Sequence, residues 1–127
     1  MIGDIYDIDH WNCTHEVSQW YALNGYVTPV KSVSSTEWDT KFILWMRRNF
    51  TPIVNPEQGA LVVMKNKFTG GLHVGVWDNG MVHHCYQPTT GGPGQTIRSP
   101  VHLLKCNHVI LKYGKHNGAN SLLSTRS

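Results

Sequence analysis

The chain has 127 residues, a formal net charge of +3 and 15% charged residues, which predicts a single globular domain of ordinary soluble composition. Its basic residues are scattered, with no run and no basic–aromatic stripe, which argues against nucleic acid as a partner. No apolar segment approaches the roughly 20 residues that span a bilayer, and Met1-Ile2-Gly3-Asp4-Ile5-Tyr6-Asp7 has neither part of a secretory signal, so folding in a reducing cytoplasm is expected.

In chain order, residues 1–11 read as extended or loop. A helix is predicted from Asn12 to Leu23, with Val17, Trp20, Tyr21 and Leu23 as its apolar stripe and Asn24-Gly25 as its stop. Ser34 with Glu37 three residues on matches a capping box. It opens a second helix to Asn49 with the face Trp38, Phe42, Trp45 and Met46. Pro52 and Pro56 predict an irregular stretch over residues 51–58.

From Gly59 the hydrophobic period changes to that of strands. Ala60 to Met64 is a short apolar run, and Leu72 to Trp77 alternates strictly. Asp78-Asn79-Gly80 predicts a turn and Met81 to Tyr86 the returning strand. A Pro/Gly/Thr loop is expected over residues 87–100, then strands at Val101–Leu104 and Cys106–Tyr113. The layout is α+β, with N-terminal helices packed on an antiparallel meander. The domain is expected to cover residues 1–114, with 115–127 a flexible polar tail.

Cys13, Cys85 and Cys106 make an odd count without a disulfide framework. Cys13 stands at the start of the first helix, where unpaired N–H groups and the helix dipole favour a thiolate. A thiol hydrolase also needs a base and a group that orients it. His73 is the candidate base, because Gly75 two residues on clears the same face for an approaching substrate. The orienting residue depends on turn length. A three-residue loop puts His83 on the face of His73, whereas a two-residue Asn79-Gly80 loop puts His84 there. The first case is preferred, because it groups Val82 with Val74 and Val76.

Asn12-Cys13-Thr14-His15 entering a helix, then Gly59-Ala60-Leu61-Val62-Val63, His73-Val74-Gly75-Val76 and Val82-His83 resemble the NlpC-type cysteine peptidases over residues 9–85. The resemblance implies a papain-like fold that hydrolyses peptide bonds of bacterial peptidoglycan without a cofactor. It makes Cys13 the nucleophile, His73 the base and His83 the orienting residue. Asn12, His15 and Glu16 depart from the family's Asp, Gly and Phe, and an acidic Glu16 within one turn tends to raise the thiol pKa. The Asn-Cys-x-His form is also similar to the lecithin:retinol acyltransferase branch, in which the histidine motif precedes the cysteine; here the order is reversed. The compact length and missing signal resemble versions carried on tails of bacteriophages. That implies synthesis in the host cytoplasm, residence in the virion tail, and peptidoglycan stem peptides and other tail proteins as partners.

Two other readings remain open. A peptidase-like domain can serve as a catalytically silent structural or binding module of a tail. His83, His84, Cys85, Cys106 and His108 could converge, and Cys106-x-His108 with His10-x-x-Cys13 offers ligand types that zinc accepts.

Overall fold

The computed structural model describes residues 5–6, 13–26, 28, 35–86 and 94–118. Its elements are β1 (Ile5–Tyr6), α1 (Cys13–Leu23), α2 (Ser35–Asn49), β2 (Phe50–Ile53), β3 (Leu61–Asn66), β4 (Leu72–Asp78), β5 (Met81–Tyr86), β6 (Gly94–Ser99), α3 (Val101–Leu104) and β7 (His108–His116). The seven strands form one sheet in the order β1-β6-β5-β4-β3-β7-β2. Every neighbouring pair is antiparallel. The α+β class and the meander β3-β4-β5 follow the sequence pattern.

Helix α1 ends as the sequence indicates. Gly25 takes φ 86°, and Gly25 N–H and Tyr26 N–H donate to the carbonyls of Ala22 and Tyr21. This left-handed stop satisfies two carbonyls that the helix leaves open. Val17, Trp20 and Tyr21 are buried, whereas Leu23 in the last turn is exposed. From α2, Phe42 and Trp45 are buried beside them. Ser34, the expected cap, and the side chain of Trp38 lie outside the described residues.

Two apolar layers flank the sheet. On one face Val17, Trp20, Tyr21, Phe42 and Trp45 pack on Leu61, Val63, Val74 and Val76. Tyr21 is its hub, with edge-on contacts to Trp20, Tyr26, Trp45 and Phe50 at centroid distances of 5.1 to 5.5 Å. Such pairs add about 0.5–1.5 kcal/mol each beyond area burial. On the other face Val62, Met64 and Val82 pack with Leu104 of α3.

Several local expectations are corrected. Pro52 does not prevent a strand. β2 lies at the sheet margin, where a residue without N–H is tolerated. The expected loop over 87–100 yields to β6 from Gly94 onward, and residues 87–93 lie outside the described residues. Val101–Leu104 is one helical turn rather than a strand; four residues are too few for the two periods to differ. Cys106, expected to open a strand, is exposed in the turn after α3. β7 continues past Gly114 to His116, pairing Phe50 with His116. Among the described residues no helix is long and apolar enough to cross a membrane.

Candidate active site

The β4–β5 hairpin decides which histidines share a face. Asp78 pairs with Met81, Trp77 with Val82 and Val76 with His83. The loop is therefore the two residues Asn79 and Gly80, both with positive φ (53° and 79°). A two-residue turn of this hand matches the twist of a hairpin. The three-residue loop is overturned, and with it the placing of His83 beside His73. His84 takes the face of His73, and Val82 joins the α3 layer. The Asn-Gly pair carried this signal in the sequence, since positive φ at both positions suits those residues best.

His83 instead faces α1. Its Nε2 lies 2.7 Å from Glu16 Oε1, with the two side chains 2% and 0% exposed. An ionised Glu16 can only accept, which places the proton on Nε2 and leaves Nδ1 with the lone pair. That Nδ1 is buried without a hydrogen-bond partner among the described residues, as is Thr96 Oγ1. Thr96 is opposite Cys85 in the β5–β6 ladder and so shares this layer.

Cys13 is half-buried at the first position of α1 and packs against the same apolar layer. Glu16 stands three residues on, one turn away on the same helical face. Cys85 follows His83 by two positions and is close enough to feel the charges of Cys13 and Glu16. Burial first, and then those neighbours, push its thiol up to about 11. Cys85 is thus held as a thiol at neutral pH. Cys13, Glu16, His83 and Cys85 lie together between α1 and β5.

His73 lies on the opposite face. Its Nε2 is 2.9 Å from His84 Nδ1, and His84 Nε2 is 2.9 Å from Ser99 Oγ. The His108 ring is 5.3 Å from that of His73, centroid to centroid. Burial, reinforced by His84 and His108, lowers His73 to about 3; burial, with His108 and His83, lowers His84 to about 4. Both imidazoles are neutral at neutral pH. The sheet thus separates the expected base, His73, from the expected nucleophile, Cys13.

Among the described residues no group of three His, Cys, Asp or Glu is arranged to hold a metal ion. His10 lies outside them, and Cys106 is exposed. No protein-family model, curated protein or solved structure matches this chain. In the sequence Glu16 reads only as a charge opposing the thiolate. Its pairing with His83 depends on a contact across 67 positions, which no local pattern announces.

Proposed function

We propose that the chain is a cysteine hydrolase cutting peptide bonds of bacterial peptidoglycan, with Cys13 as nucleophile, His83 as base and Glu16 as the group that orients His83. The observation that carries this reading is the buried Glu16–His83 hydrogen bond one helical turn from Cys13. It supplies the third member that a nucleophile–base pair needs, and leaves His83 Nδ1 available for the thiol proton. Glu16, an adverse charge in the sequence, then stabilises the imidazolium formed when Cys13 ionises.

On this account His83 Nδ1 takes the Cys13 proton, and the thiolate attacks the scissile carbonyl. Backbone N–H groups at the start of α1 hold the oxyanion, each worth about 3–4 kcal/mol. His83 returns the proton to the leaving amine, and water activated by the same ring releases the acyl group. The sequence of steps calls for no metal or organic cofactor. The papain-like, NlpC-type relationship, the peptidoglycan substrate and residence in a phage tail with other tail proteins rest on the resemblance of the Asn12–His15 and His73–Val76 segments. Digestion of purified peptidoglycan, read by mass spectrometry, tests the reading: new peptide termini with wild type and none with Cys13→Ala.

One observation favours a second reading, a catalytically silent peptidase-like module. Cys13 and His73, the two residues the family motif pairs, lie on opposite faces of the sheet. Iodoacetamide alkylation separates the two. A paired Cys13 reacts well below pH 8.5, the ordinary thiol value, and an unpaired one does not.

A further inference from the structure

We infer that the face of the sheet turned away from α1 carries a second acyl-transfer site, in which Ser99 is the nucleophile, His84 its base and His73 the residue that positions His84. Ser99 Oγ and His84 Nε2 are 2.9 Å apart, within the reach a nucleophile–base pair requires. The other ring nitrogen of His84 is held 2.9 Å from His73 Nε2. Hydroxyl, imidazole and orienting group thus form one chain of hydrogen bonds. For His84 Nε2 to accept from Ser99, its proton sits on Nδ1 and is donated to the lone pair of His73 Nε2.

The position also suits a reacting group. His84 is 2% exposed, so its ring is locked, while Ser99 at the end of β6 is half-buried and reachable. Among the described residues β1 covers β6 only at Gly94 and Gln95. Ser99 pairs inward with Val82 and has no strand outside it among the described residues. Nothing in this site involves Cys13, which lies on the other side of the sheet.

In the reaction, Ser99 Oγ bonds to the acyl carbon as its proton passes to His84 Nε2. The bond from the acyl carbon to the leaving oxygen then breaks, and that oxygen takes the proton back from His84. Water repeats the sequence on the acyl-Ser99, releasing the acid and restoring the hydroxyl. His73 is a neutral imidazole rather than a carboxylate, so it gives the His84 imidazolium little electrostatic help, and burial makes His84 a weak base. A weak base activates the Ser99 hydroxyl poorly, so the acyl carbon itself must be made reactive by a good leaving group. The substrate class is therefore esters of acidic alcohols such as phenols, not amides.

The probe is p-nitrophenyl acetate, used with full-length Cys13→Ala/Cys106→Ala protein so that these thiols do not contribute. The expected result is turnover above buffer with an acetyl group trapped on Ser99 by acid quench and peptide mapping. Ser99→Ala and His84→Gln, each checked for native circular dichroism, should each lower the rate about a hundredfold. His73→Gln keeps an acceptor near the position of Nε2 and should retain most of the rate, whereas His73→Leu should lose about tenfold with an equally folded chain. No acetyl-Ser99, or an unchanged rate in Ser99→Ala, overturns the site. Equal rates in His73→Leu and His73→Gln overturn the role of His73.

Discussion

Glu16 Oε1 and His83 Nε2 meet at 2.7 Å, with both side chains closed off from solvent. Removing one partner leaves the other buried without its hydrogen bond, which costs more than the bond itself contributes. Glu16→Ala should therefore lower unfolding stability by about 2–4 kcal/mol in urea. Glu16→Gln, which keeps an accepting oxygen, should lose less than half as much. Equal losses in the two variants would show that packing alone, not the hydrogen bond, is at stake.

Gly75 on β4 lies tight against β5. A Cβ built there falls 2.5 Å from Val82 Cγ1, 3.0 Å from the His83 carbonyl oxygen and 3.2 Å from His84 Cβ. The carbonyl cannot rotate aside without breaking the ladder. Gly75→Ala should destabilise by about 1–3 kcal/mol, the usual cost of overpacking. A Tm equal to that of wild type would contradict this packing.

The hairpin also shows how far the sequence could be read. The strands at Leu72–Asp78 and Met81–Tyr86 were legible from their alternation and from Asn79-Gly80, and helix α1 from its stripe and its Asn24-Gly25 stop. One residue of turn length, three against two, carries His83 from one face of the sheet to the other and decides whether it meets Glu16. Period 2 makes every face assignment hostage to one residue of register. Ser99 and Thr96 were lost for a different reason. A strand with the sequence Gly94-Gln95-Thr96-Ile97-Arg98-Ser99 carries weak alternation and is held by its partner β5, a long-range cause.

Four histidines predict how stability depends on pH. In the folded chain burial lowers His73, His84, His108 and His116 from the ordinary 6.5. Below about pH 6.5 the unfolded chain therefore binds more protons than the folded one, and stability falls with pH; above it these groups contribute no slope. His73 and His84, the most strongly lowered, each contribute up to about 1.4 kcal/mol per pH unit in that window. Urea midpoints should be level from pH 8 to 7 and should drop steeply between pH 6 and 4.5. A midpoint independent of pH in that window would contradict neutral, buried imidazoles.

Tyr21 donates its hydroxyl to the Gly59 carbonyl beneath the aromatic cluster. Burial, and then Tyr26, hold that phenol well above the ordinary tyrosine pKa, so it stays a donor through the alkaline range. Tyr21→Phe keeps the ring contacts and leaves one buried carbonyl unsatisfied. The expected loss is about 1–2 kcal/mol by urea denaturation, with the near-ultraviolet dichroism of the cluster retained. No loss would mean that water replaces the phenol.

In the proposed function Cys13 works with His83 and not with His73. The direct measurement is peptidoglycan digestion by His83→Gln and His73→Gln beside wild type, with each variant verified as folded. Wild type and His73→Gln should both cleave, and His83→Gln should lose about a hundredfold or more. Cleavage that survives His83→Gln but disappears in His73→Gln would contradict that pairing.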